Sequence, residues 1–172
     1  VCTALLNAVH YVGAEPVLAD VLPETGNIDP DDVRQRLTGR TRAIIVPHMF
    51  GLPAEMDALL ALGSPVVEDC AQAVGAHYGG RLAGTLGQTA IFSFYATKVM
   101  TTGEGGMAVS HDPDLLTRIR DLASYDNRPE YRVRYNYKMT DFQAAMGRVQ
   151  LSRLTAMTRQ RSEIADRYDN AM

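Results

Sequence analysis

The sequence predicts an α/β fold, a mostly parallel sheet covered by helices with one antiparallel strand. Three observations carry this reading. Short apolar runs such as Ala43-Ile44-Ile45-Val46 and Pro65-Val66-Val67 alternate with stretches whose apolar residues recur at helical spacing. Two later runs, residues 89–95 and 106–110, are joined by a connection too short for a crossover helix, so they pair antiparallel. The length of 172 residues, 46% of them hydrophobic, suits one domain with its own core.

The elements follow in order. Residues 3–12 read as a helix, with Leu5, Leu6 and Val9 on one stripe. Residues 16–21 read as a short apolar strand. Asp29-Pro30-Asp31-Asp32 supplies an N-cap and a first-turn proline for a helix through Leu37. Residues 42–49 form a strand, and residues 53–62 a helix ended by Gly63. Residues 65–70 form the next strand. Gly79-Gly80 makes residues 76–83 a hairpin. The antiparallel pair follows, with residues 103–106 as its tight glycine loop. Asp112-Pro113 opens a helix to about Ser124, and residues 139–172 are helical with a break near Leu154.

Composition excludes several classes. The net charge is −3 and the basic residues are scattered apart from residues 148–167, so nucleic acid is not favoured. Those arginines read as a solvated helix face. No apolar stretch reaches membrane-spanning length, and no basic-then-apolar start marks a signal peptide. Cys2 and Cys70 have no metal-ligand spacing and form no disulfide framework, so no metal is expected and a cytoplasmic setting is the default. Cys70 reads as a small buried residue. His48 and His77 lie near strand ends without ligand-spaced partners and read as structural.

Two residues carry chemistry. Lys98 follows the apolar, aromatic run Ile91-Phe92-Ser93-Phe94-Tyr95-Ala96-Thr97, which places an amine at the end of a buried strand. A buried amine titrates lower and is a better nucleophile. Asp69 ends the run Val66-Val67-Glu68-Asp69, and ligands of open α/β sheets bind beyond the carboxyl ends of strands. An amine for an aldehyde and an anion for a ring nitrogen are what pyridoxal phosphate (PLP) needs. Opposite charges ~4 Å apart at an effective dielectric near 20 attract by about 4 kcal/mol. A protonated ring nitrogen makes the ring an electron sink. The plainer alternative is that Asp69 caps the turn at residues 71–73 or pairs with an arginine, and that Lys98 is solvated. Gln72 lies one helical turn beyond Asp69, and Ser93 and Thr97 offer hydroxyls to a phosphate. The glycines at 103–106 lack phosphate-loop spacing, so nucleotide binding there is a minor alternative.

Several segments together resemble the sugar aminotransferases of the DegT/StrS type. They are Val67-Glu68-Asp69-Cys70-Ala71-Gln72-Ala73, Phe92-Ser93-Phe94-Tyr95-Ala96-Thr97-Lys98, Thr102-Gly103-Glu104-Gly105-Gly106-Met107 and Tyr135-Asn136-Tyr137-Lys138-Met139-Thr140-Asp141-Phe142-Gln143-Ala144-Ala145. Residues 13–17 and 25–29 match as well. The resemblance implies the three-layer αβα large domain of a fold-type-I, aspartate-aminotransferase-like PLP enzyme. It implies that Lys98 binds the cofactor covalently, Asp69 its ring nitrogen, Gln72 its phenolic oxygen and Ser93 its phosphate. Asn136 would reach the phosphate held by a neighbouring subunit, which implies a homodimer. The implied substrates are a keto sugar, mostly nucleotide-linked, or a keto-cyclitol, with glutamate or glutamine as amino donor.

The chain departs from this pattern in length. It starts just after the place of an aromatic residue that stacks on the cofactor, and it stops in the helix leading to a small C-terminal domain. Residues 1–172 are therefore expected to be the central part of the large domain. Cys70 replaces the usual alanine, and Lys138 stands where arginine is common. A sugar dehydratase on the same scaffold is a rival, but that branch typically carries histidine at the position of Lys98. A truncated, non-catalytic subunit is the other rival.

Overall fold

The computed structural model describes residues 2–171. In chain order the elements are α1 (Ala4–Tyr11), α2 (Pro30–Arg36), β1 (Ile44–Pro47), a 3-10 turn (Met49–Gly51), α3 (Met56–Leu60) and β2 (Val66–Asp69). They continue with β3 (His77–Tyr78), β4 (Arg81–Leu82), β5 (Thr89–Ser93), β6 (Gly106–Ser110), α4 (Pro113–Ala123) and α5 (Asp141–Asp169). The main sheet has the order β1-β2-β5-β6. Its first three strands are parallel, and β6 runs antiparallel to β5 from Thr89↔Ser110 to Ser93↔Gly106. The β3–β4 hairpin stands apart as a second sheet. The α/β class, the parallel sheet, the antiparallel pair and the hairpin all match the sequence reading.

Local chemistry explains the helix starts. Asp29 accepts from the Asp31 amide and Pro30 opens α2. Asp112 accepts from the amides of Asp114 and Leu115 ahead of Pro113. Thr140 and Gln143 form a reciprocal capping box at α5. The pleat explains the core. Val46, Val66, Met56 and Leu59 are buried in one cluster, and Cys70, Ala73, Ala83 and Ala90 in another. In β2 the same alternation that buries Val66 also buries Glu68, and turns Val67 and Asp69 the other way. Among the described residues, no helix is long and apolar enough to cross a membrane.

Three expectations need correction. Residues 16–21 are not a strand: only Val21 pairs, through one isolated bridge to Ile28. Val17 and Leu18 are 68% and 69% exposed, so no neighbouring strand rewards an extended ladder. Helix α5 has no break at Leu154 and runs unbroken to Asp169. It holds no proline, and its early turns pack down at two glycines. The Cβ of an alanine at Gly147 would sit 3.1 Å from Thr102 Cγ2, and one at Gly75 would sit 3.5 Å from Leu154 Cδ2. Finally, β5 ends at Ser93, where its pairing with Gly106 ends, so Lys98 lies on a turn beyond the strand and is half-buried.

Candidate functional site

Parallel pairing sends the carboxyl ends of β1, β2 and β5 to one edge of the sheet. Three connections leave that edge: the 3-10 turn after β1, the turn after Asp69 and the turn after Ser93. They meet in a cleft of about 310 Å³ whose lining includes Phe50, Ala71, Gln72, Thr97 and Lys98. Residues 50, 72 and 98, far apart in sequence, thus share one hollow, as expected where parallel strands end.

Each side chain is positioned by identifiable bonds. The Phe50 amide donates to Gln72 Oε1 at 2.9 Å. That contact fixes the orientation of the Gln72 side chain, because its oxygen is committed and its Nε2 keeps two donors for a ligand. Lys98 is set by a turn in which its amide donates to the Tyr95 carbonyl at 3.0 Å. Behind it the Phe94 side chain is buried, and the Phe94 carbonyl accepts from the Thr102 amide and from Thr101 Oγ1. Among the described residues, the Lys98 amine makes no ion pair or hydrogen bond.

Asp69 and Ser93 stand at the strand ends from which these turns spring, and do not line the cleft itself. Asp69 Oδ1 accepts from the Ala71 amide at 2.9 Å, so the capping role weighed for it is present. Its second oxygen has no protein partner among the described residues. Ser93 Oγ accepts a long bond of 3.4 Å from the Tyr95 amide. Asn136 is exposed on the loop between α4 and α5, bridged to Ser124, and does not reach the cleft of its own chain. That loop is pinned by Arg134, whose side chain is 4% exposed and bonds Asp121 at 3.0 Å. The Arg134 guanidinium holds the Asp121 carboxyl below the ordinary carboxylate range. A second hollow of about 490 Å³ lies along this loop, and its lining contains none of the sequence-derived site residues.

One group beside the site is not evident from the sequence. Glu68, adjacent to Asp69, is fully buried and accepts four hydrogen bonds. Oε2 takes His48 Nε2 at 3.0 Å and the Gly84 amide at 2.7 Å, while Oε1 takes the amides of Leu86 and Gly87, both at 2.7 Å. Burial pushes its pKa up, but the His48 bond and the amides of Gly87, Gly84 and Leu86 outweigh it and hold Glu68 below its ordinary value. His48 Nδ1 accepts from the Ala54 amide at 3.1 Å, so Nε2 carries the proton given to Glu68. Donor atoms of His48, Glu68 and Cys70 lie within 4.8 Å of one another. Both His48 nitrogens and both Glu68 oxygens are already engaged in hydrogen bonds within the protein. Burial first, and then the charges of Glu68 and Asp69, push the Cys70 thiol up to about 12.

Comparison with known proteins agrees with this fold. Residues 2–172 match the model of the DegT/DnrJ/EryC1/StrS aminotransferase family. GDP-perosamine synthase from Caulobacter vibrioides is 39% identical over 178 residues, which cover 98% of this chain and 48% of that enzyme. The crystal structure of the aminotransferase TlmJ from Streptoalloteichus hindustanus matches all of this chain and 50% of its own, with a TM-score of 0.95 and 39% identity. Spr1654 from Streptococcus pneumoniae, solved in its PLP form, matches 98% of this chain and 51% of its own, with a TM-score of 0.89 and 30% identity. The chain thus spans about half the length of the relatives it matches. On sequence and fold together, the chain belongs to the DegT/DnrJ/EryC1/StrS aminotransferase family.

Proposed function

We propose that this chain forms the central, cofactor-binding part of the large domain of a PLP-dependent aminotransferase. It would move an amino group from a donor such as glutamate to a keto sugar, nucleotide-linked, or to a keto-cyclitol. The observation that carries the reading is the shared cleft: Lys98 and Gln72 line one hollow at the end of the strands that present Asp69 and Ser93. The name of the Caulobacter relative supports a nucleotide-linked sugar, and the PLP form of Spr1654 supports the cofactor.

The residues fit PLP by their unspent chemistry. Lys98 has a free amine and Gln72 two free donors. Asp69 keeps one carboxylate oxygen, and the Ser93 hydroxyl keeps its proton. When bound, PLP supplies an electron sink for negative charge at the amino-bearing carbon. Asp69 would hold a proton on the ring nitrogen by charge attraction. Gln72 would donate to the phenolic oxygen, and Ser93 to the phosphate. Lys98 would hold the group through its aldehyde carbon, and its free Nζ would serve as the base that moves a proton at the donor's α-carbon. Asn136, exposed on its loop, reaches the phosphate held by a second copy, so the protein acts as a homodimer, in the cytoplasm.

The test is a titration of the full gene product with PLP, followed by its visible absorbance. A yellow protein that bleaches on adding glutamate is expected. Lys98→Ala should lose that colour; a mutant with the wild-type spectrum would overturn the role of Lys98.

A further inference from the structure

The 3-10 turn after β1 contains an expensive conformation. Phe50 has φ 57 and ψ 18, in the left-handed region that disfavours a residue with a Cβ. Phe50 as a residue is 82% exposed, so burial in this chain does not repay that strain. The backbone around it is nevertheless held tightly. Asn27, only 1% exposed, accepts from the Met49 amide at 2.8 Å and donates to the Leu52 carbonyl at 2.9 Å. Gln72 accepts from Phe50 itself, and His48 from Ala54. A strained residue persists where its surroundings over-determine it, and such outliers mark ligand sites.

From this conformation, and resting on the function proposed above, we infer that Phe50 is a specificity-determining wall of the cleft, its ring packed against the carbon face of the keto sugar. Of the other lining residues, Gln72 and Lys98 are polar and Ala71, Val74, Thr97 and Val99 are small, so none offers a comparable flat apolar surface. One backbone bond ties Phe50 to Gln72, and both share the hollow with Lys98. Phe50 therefore stands at the edge of the cleft nearest the reacting carbon, with its ring edge over Gly26, where a Cβ would meet Phe50 Cε2 at 3.8 Å. In a nucleotide-linked sugar the part at that carbon is the sugar ring, since the diphosphate separates it from the base. A sugar ring presents axial C–H groups that suit the negative face of an aromatic ring, whereas a dicarboxylate amino donor presents charge and no such face.

Glycine is the clean substitution, because Phe50→Gly keeps the amide that holds Gln72 and accepts positive φ without strain. The test uses the full gene product loaded with PLP, and GDP-, TDP- and UDP-linked keto-hexoses as probes. Phe50→Gly should melt at or above the wild-type temperature. It should complete the glutamate half-reaction at the wild-type single-turnover rate and bind GDP, TDP and UDP unchanged. The KM for the accepted keto-hexose should rise by about tenfold. Phe50→Asn, also tolerant of left-handed backbone, should behave like the glycine variant, and Phe50→Tyr should restore wild-type KM. An unchanged keto-hexose KM overturns the assignment, with or without a drop in melting temperature, as does an equal loss for the free nucleotides or for glutamate. If the wild-type protein aminates no keto-hexose, the functional reading of the cleft falls and this inference with it. If the wild type does and Phe50→Gly matches it, only the role of Phe50 falls.

Discussion

Glu68 shows how one side chain can organise a site without facing a ligand. It ties the end of β1, through His48, to the turn at residues 84–87, while its neighbour Asp69 emerges at the strand end. Glu68→Gln replaces an oxygen acceptor by a donor aimed at backbone amides. The expected loss is about 3–5 kcal/mol of unfolding free energy, read by urea denaturation. The pH dependence has a definite sign. The folded carboxyl titrates below the unfolded one, so its contribution is complete above about pH 4.3 and is lost as pH falls through the lower folded value. Acid titration of the wild type should therefore show a steeper loss of stability below about pH 4.3 than the same titration of Glu68→Gln. The sequence makes Asp69, Gln72 and Lys98 visible because each sits at a readable boundary of an apolar run. It hides Glu68 and Phe50, because the partners that define them lie 16 to 22 residues away and join only when the sheet forms.

Among the elements, the loop between β5 and β6 is the most demanding. Gly105 has φ 154, and a Cβ there would lie 2.5 Å from Thr102 Oγ1 and 3.0 Å from Met139 Cε. Thr102 Oγ1 is itself committed to the Glu104 carbonyl at 2.7 Å, so it has little room to yield. Gly105→Ala should cost about 1–3 kcal/mol by thermal or chemical denaturation, with the turn carrying Lys98 displaced. The capping box of α5 is a milder case: Thr140→Ala should cost about 1 kcal/mol. Caps with first-turn prolines and glycine turns were legible because their signals are local, and α2, α4 and the β3–β4 hairpin follow them, whereas the Thr140–Gln143 capping box of α5 emerges only in the structure. The failures are not local. Residues 16–21 have strand composition but meet no ladder. The Lys98 turn is set by where β6 stops pairing.

Across the whole molecule, stability is unevenly spread. The buried side chains gather around β1, β2, α3 and β5, whereas α1 buries none and α5 buries only Gly147. Every residue from 158 to 171 is exposed. Hydrogen exchange should accordingly be slowest at the amides of β1, β2 and β5, and fastest in α1 and the last turns of α5. Uniform protection along α5 in the isolated chain would contradict this. The sheltered Cys70 gives the chain a built-in reporter. With its thiolate suppressed by burial and two flanking carboxylates, and Cys2 open to solvent, a maleimide dye should attach one equivalent to the native chain. The second equivalent would arrive only when the sheet parts, so label stoichiometry alone would record each opening event.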